Sequence, residues 1–139
     1  MSLRSIVVTR PDQQRLQELL RSQFGRDIGQ GRPHITELEE MLATAQIVEA
    51  NTVCPDIVTM NSTIKLLDLI TQDSETITLV YPHEANIDEG KLSVLSPLGT
   101  ELLGRRVTEE VAFSLLNRKT NKRVEKIWYQ PKRVGAFNL

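Results

Sequence analysis

Few residues in this 139-residue chain are of a kind that does chemistry, and their spacing limits what they can do. The two histidines stand apart: His34 lies in a glycine-rich connection and His83 directly follows Tyr81-Pro82. Neither has a second histidine or a cysteine at metal-ligand spacing, so zinc binding and histidine catalysis are not expected. The single cysteine, Cys54, excludes an intramolecular disulfide and a cysteine-based zinc cluster, and reads as a packing or linker residue. Adjacent acids occur at Glu39-Glu40, Asp88-Glu89 and Glu109-Glu110. Neighbouring side chains point to different faces of a helix or strand, so these pairs read as solvated surface rather than as paired catalytic carboxylates. Ser93 and Ser96 have no histidine at a spacing that would activate them, and no phosphate-binding glycine loop or nucleophile elbow occurs. The pattern points to a protein that is not an enzyme and has neither cofactor nor metal.

Charge is the stronger functional signal. Residues 53–104 hold two bases against eight acids, whereas residues 105–139 hold nine bases against three acids. Such a polarity orients an encounter with a charged partner, although a solvated hairpin tip at 118–123 accounts for part of it. Tyr81, Phe113, Trp128 and Tyr129 are nearly all the aromatics, and they are not interleaved with bases as a single-strand stacking platform requires. No sequence-specific nucleic-acid contact is expected. No apolar run approaches the ~20 residues that cross a bilayer, and the first residues lack a signal-peptide apolar core. A cytoplasmic protein without membrane contact is therefore the expectation.

The elements that must position these residues are legible as two textures. Thr9-Arg10-Pro11-Asp12 reads as a helix start, with a capping hydroxyl, a proline in the first turn and an acid against the dipole. Leu16, Leu19, Leu20 and Phe24 then share a face, and Gly25, Gly29, Gly31 and Pro33 predict a flexible break. Thr36 with Glu39 reads as a capping box, and Leu38, Met41, Leu42, Ala45 and Val48 as the stripe of a second helix. Residues 1–52 thus predict an antiparallel helical hairpin whose arms, about 20 Å long, are marginal alone and must bury their stripes. From Asp56 the period changes to two. Residues 57–60, 63–69, 76–81, 111–116 and 124–129 read as strands, with turns at 71–74 and 117–121. The fold class is α+β: the hairpin, then an antiparallel sheet with one short helix in residues 53–139.

That short helix lies in LSVLSPLGTELLG, residues 92–104. Ser96 is placed to cap and Pro97 to occupy the first turn, so the motif hands the chain from sheet to helix while Leu98, Leu102 and Leu103 pack beneath.

In order and spacing, residues 56–62, 78–82, 92–99 and 102–104, with Tyr129-Gln130-Pro131, resemble the Gre family of transcript-cleavage factors of bacterial RNA polymerase. Within it they resemble the branch named as regulators of nucleoside diphosphate kinase. The resemblance spans residues 9–131 and is strongest from 56 to 104. It implies a GreA/GreB-type, FKBP-like domain over 53–139 and a coiled-coil hairpin over 1–52. It implies bacterial RNA polymerase as partner, with the sheet domain docked at the secondary-channel rim on a coiled coil of β′ and the hairpin directed into the channel. Ser96, Pro97 and Gly99 become candidate polymerase contacts, with the charges of Arg105 and Arg106 beside them.

The tip departs from that family. Gre factors carry paired acids there that help hold a catalytic magnesium ion, and such a site needs several oxygen ligands. Here the tip has Asp27 alone, between Arg26 and Arg32, on arms about half as long. The resemblance therefore implies rim binding without transcript cleavage. An FKBP-like prolyl isomerase is the alternative from another class, set against the shortage of aromatics for a proline pocket. Nucleoside diphosphate kinase is a further candidate partner, reached directly or through transcription.

Overall fold

The computed structural model describes residues 4–115 and 118–131. Strand β1 (Val7–Thr9) runs into α1 (Arg10–Arg21), α2 (Gln23–Gly29) and α3 (Pro33–Thr44), and the chain returns in β2 (Gln46–Val48). Thr9 caps α1, its Oγ1 accepting the Asp12 N–H at 3.3 Å. Leu16 and Leu20 are buried as their spacing predicts. The expected flexible break is instead helical. Ser22 stops α1 and starts α2, its hydroxyl accepting the Gly25 N–H at 3.1 Å. Gly25 allows the sharp change of direction, since a Cβ there would stand only 2.2 Å from the Leu19 carbonyl oxygen. The second capping expectation also fails. Helix α3 starts at Pro33 after Arg32 and has no side-chain cap, which leaves Thr36 exposed inside the helix. Proline supplies the helical φ and removes one of the orphan N–H groups, so the cap moves from Thr36 to Arg32, four residues upstream.

Ala45 ends α3, and Val48 belongs to β2 rather than to the helical stripe. β1 and β2 pair in parallel, Val7 with Gln46 and Thr9 with Val48. Parallel neighbours need a crossover. The whole helical arm is that crossover, so α1 leads away from the ribbon and α3 leads back to it. Gln13 joins the two where they meet the ribbon, its Nε2 donating to the Leu42 carbonyl at 2.9 Å.

The remaining strands are β3 (Thr63–Asp68), β4 (Ser74–Val80), β5 (Lys91–Ser93), β6 (Glu110–Leu115) and β7 (Arg118–Tyr129), with α4 (Pro97–Leu102) between β5 and β6. They form one sheet in the order β5-β4-β3-β7-β6. It is mixed rather than wholly antiparallel, because β5 lies parallel to β4. The ten-residue link with 3-10 turns at Pro82–Glu84 and Ile87–Glu89 carries the chain back for that pairing. Ile64 and Leu66 point into the core from β3. On β7 the inward residues are Val124 and Ile127, three apart, which simple alternation forbids. Pairing with β3 skips Glu125, and this irregularity lets both point inward; a second one at Trp128 follows them.

Two further expectations are corrected. Residues 57–60 are not a strand; Ile57 makes only an isolated bridge with Arg106. Their polar groups are satisfied elsewhere: Val58 N–H by the Arg105 carbonyl at 2.8 Å, Thr59 N–H by Ser62 Oγ at 2.9 Å, and Met60 N–H by Asp12 Oδ2 at 3.1 Å. Of the residues 117–121 expected as a turn, 118–121 belong to β7, and residues 116–117 lie outside the described residues.

One apolar cluster spans the helical arm and the sheet, joining Leu16, Leu20, Leu38 and Leu42 to Met60, Leu95, Leu102 and Leu103. Polar ties cross the same junction. Asp12 is fully buried where it accepts from Met60. His34 Nε2 meets the Leu95 carbonyl at 2.9 Å, and since a carbonyl only accepts, that nitrogen carries the proton. Replacing Asp12 by Ala leaves the Met60 N–H without an acceptor in a dry junction and is expected to cost about 2–4 kcal/mol in urea unfolding. Glu40→Ala, on the exposed face of α3, should stay within about 0.5 kcal/mol.

Candidate docking surface

The corner at residues 93–106 is built from inside. Ser96 is the N-cap of α4: its Oγ accepts the Gly99 N–H at 3.0 Å and donates to the Ser93 carbonyl at 2.7 Å. Thr100 closes the first turn by donating Oγ1 to the Pro97 carbonyl at 2.9 Å. Gly99 is buried, and a Cβ on it would lie 2.0 Å from the Ser93 carbonyl oxygen. The glycine lets α4 press against the strand it has just left. After Leu102 the chain turns through Gly104 at φ 78, a left-handed conformation that suits glycine, and a Cβ there would meet Ile6 at 2.7 Å.

The five docking candidates therefore flank the two ends of one helix about 9 Å long. They differ in what they can offer a partner. The Ser96 hydroxyl is engaged within the corner, Gly99 is covered, and Pro97 is half-buried at the rim. The Arg105 side chain is 14% exposed and held by Glu101 at 2.8 Å and Glu109 at 3.7 Å. Arg106 is 49% exposed, with Asp56 at 3.6 Å as its one ion-pair partner among the described residues, and it is the accessible cation of the group.

Arg4 was not legible as a site residue. Its guanidinium donates to the Leu103 carbonyl at 2.8 Å and the Thr100 carbonyl at 3.0 Å, which caps the end of α4. Burial, and then repulsion from Arg105, lowers its pKa to about 10 against the pull of Glu101 and Glu109. Arg4, Glu101, Arg105 and Glu109 form one partly buried charge group, so Arg105 is engaged in support. Gln130 belongs to the Tyr129-Gln130-Pro131 motif, whose role the sequence did not show; fully buried, it donates Nε2 to the Cys54 and Ile57 carbonyls at 3.0 and 2.8 Å.

The charge asymmetry is also partly resolved within the chain. Lys122 pairs with Glu75 at 2.6 Å and Arg123 with Glu125 at 3.1 Å. Lys132 and Arg133 lie outside the described residues. At the tip, Arg26 and Asp27 are exposed on α2, and exposed Arg32 precedes α3. Arg26 donates Nε to the Arg21 carbonyl at 3.1 Å. Among the described residues no group of three or more His, Cys, Asp and Glu side chains could hold a metal ion, and no helix is long and apolar enough to cross a membrane.

Tyr81 directly follows β4, its side chain buried and its ring stacked near His83, the centroids 6.4 Å apart. Burial first, and then the Asp12 carboxylate, push its phenol above the ordinary range, while Arg15 beside it pulls the other way. No contact of the hydroxyl has hydrogen-bond geometry among the described residues.

A helical arm crossing between two parallel strands, fused to a curled sheet with a capped corner helix, defines a helix-plus-sheet α+β protein. Residues 52–129 match the model of the family described as transcription elongation factor, GreA/GreB, C-term. The "Regulator of nucleoside diphosphate kinase" of Escherichia coli K12 is 31% identical, with both chains covered completely. GreA of Oceanobacillus iheyensis is 39% identical over 58% of this chain and 51% of its own length. The solved GreA/GreB structure from Nitrosomonas europaea superposes with a TM-score of 0.76 at 28% identity, covering 91% of this chain and 99% of that one. The chain belongs to the GreA/GreB C-terminal family. It spans about half the length of the Oceanobacillus GreA.

Two outcomes follow from the corner and from Tyr81. Gly99→Ala should destabilise by about 3 kcal/mol in chemical denaturation, because the new methyl meets backbone rather than a movable side chain. For Tyr81, the unfolded chain loses the phenol proton near the ordinary value of about 10 while the folded protein retains it. The unfolded state then binds fewer protons, so this contribution to stability is present below that pH and is lost above it. In an ultraviolet difference titration Tyr81 should ionise only in step with unfolding, and Tyr81→Phe should delete that step. Ionisation of both tyrosines near the ordinary value in the folded protein would contradict this.

Proposed function

We propose that the protein is a non-enzymatic transcription regulator that binds bacterial RNA polymerase at the rim of its secondary channel and competes there with Gre factors. The observation that carries this reading is the match over residues 52–129 to the GreA/GreB C-terminal family, a span that contains the whole capped corner. In this reading residues 53–139 are an FKBP-like docking domain that meets a coiled coil of β′, and residues 1–52 are the hairpin directed at the channel. Pro97 and Arg106 make the contact, while Ser96, Gly99 and Arg105 hold the corner in shape.

Binding leaves transcript cleavage unassisted. Each of α1 and α3 has 12 residues, about 18 Å of rise, and the tip offers Asp27 between Arg26 and Arg32. Two flanking cations oppose the gathering of a divalent metal around one carboxylate. The end-to-end similarity to the Escherichia coli regulator of nucleoside diphosphate kinase supports an effect on the level of that kinase, exerted through transcription. The isomerase alternative gains nothing from these relatives.

Co-elution with purified bacterial RNA polymerase at micromolar protein tests the docking, and absence of a complex would end it. Arg106→Glu should weaken the complex at least about fivefold with an unchanged thermal midpoint. Arg105→Glu should lower the midpoint as well, because it puts a third acid beside Glu101 and Glu109. Backtracked transcription complexes should be shortened no faster with the protein than without it; shortening that depends on Asp27 would refute the reading of the tip.

A further inference from the structure

A groove of about 520 Å³ lies between the second half of α1 and the end of β4, with Arg15, Glu18 and Leu19 on one wall and Tyr81, His83 and Glu84 on the other. An apolar groove of about 350 Å³ shares Leu19 and His83 with it and is completed by Phe24 and Pro82. Neither was visible in the sequence, where Leu19 and Phe24 read simply as parts of a core stripe. The turn at Ser22 carries Phe24 off that stripe and leaves it 44% exposed.

The floor and the rim differ in character. The floor is apolar, formed by Leu19, Phe24 and Pro82. The rim is acidic: among the described residues Glu18 is exposed and makes no ion pair, and Glu84 meets His83 at 3.8 Å. Arg15, the one arginine or lysine among the described residues that line the groove, faces Tyr81 from the α1 wall, close enough to act on its phenol. The Tyr81 hydroxyl is buried there, and among the described residues no contact of it has hydrogen-bond geometry.

We propose that this groove is a docking site for a segment of a partner protein that presents an arginine or lysine beside a bulky apolar side chain. The stem of such a cation lies along Leu19 and Phe24 while its head reaches Glu18 and Glu84, and the neighbouring apolar group fills the space against Pro82 and His83. Arginine suits the site better than lysine, since its planar head both stacks on Phe24 and forks toward a carboxylate. The groove has the opposite sign to the Arg106 corner and involves none of the same residues. It therefore selects a basic partner surface independently of the polymerase reading.

The probe is a capped helical peptide with leucine and arginine on one face, titrated into the isotope-labelled full chain and followed by amide chemical shifts. Shifts should concentrate at Leu19, Ser22, His83 and Glu84. The double variant Glu18→Gln, Glu84→Gln should raise the Kd at least about fivefold, and Phe24→Ser at least about threefold, both with an unchanged thermal midpoint. The same peptide with glutamate in place of arginine should not bind. Absence of binding, shifts centred elsewhere, or indifference to the Glu18 and Glu84 changes would overturn the proposal. So would spermine binding at the same amides as tightly as the peptide, because the site would then take a free polycation rather than a protein segment. RNA polymerase takes no part in the experiment, so its outcome is separate from that of the docking reading.

Discussion

The hydrogen bond from the Met60 N–H to the buried Asp12 carboxylate is the contact on which the relation of helices to sheet depends. A carboxylate away from water is costly unless it is met by donors and a favourable field. Asp12 has both, since it sits in the first turn of α1, at the positive end of the helix dipole, and faces a backbone donor of the segment leading into β3. Satisfying the acid requires that the start of α1 be seated on residues 57–62. Once it is seated there, Leu16 and Leu20 are committed to the common core and the helical arm cannot swing as a separate body without stripping that carboxylate of its partner.

The same logic shapes the corner. A short helix leaving a strand must satisfy its first N–H groups and its last carbonyls, and here nearly every polar group near it is turned to that task. Ser96 serves the start, Arg4 the end, and Arg105 is drawn into the charge group around Arg4. What the corner leaves accessible is small: a proline edge and one half-exposed guanidinium. Specificity at such a surface comes from the fixed direction of few groups, and a corner held by capping and glycine contacts supplies that direction.

The acidic groove arises from a different compromise. Gly25 lets α2 fold back on the end of α1, and the cost of that turn is an aromatic ring left in solvent at Phe24. Pro82 ends β4 opposite it, so an apolar strip opens between arm and sheet where the core would otherwise have closed.

The residue pattern alone determined the α+β class, the capped starts at Thr9 and Ser96, the stripes of α1 and α3, and the strands around Ile64, Ile77 and Val111, because these follow from local periodicity and short-range hydrogen bonding. Family resemblance was legible for the same reason, as its motifs are those corners. Tertiary structure decided the rest. Three-residue strands such as β1 and β2 carry too little pattern to announce a parallel ribbon, and residues 57–60 look like a strand because they are apolar and buried, although the N–H groups of Val58 and Met60 are met by partners far along the chain and that of Thr59 by a nearby side chain. Val124 and Ile127 share a face only because pairing with β3 skips Glu125 between them. The roles of Arg4, Asp12 and Gln130, the enclosure of Arg105 and the exposure of Phe24 all depend on groups distant in sequence, and no local signal encodes which of several identical side chains will find a buried partner.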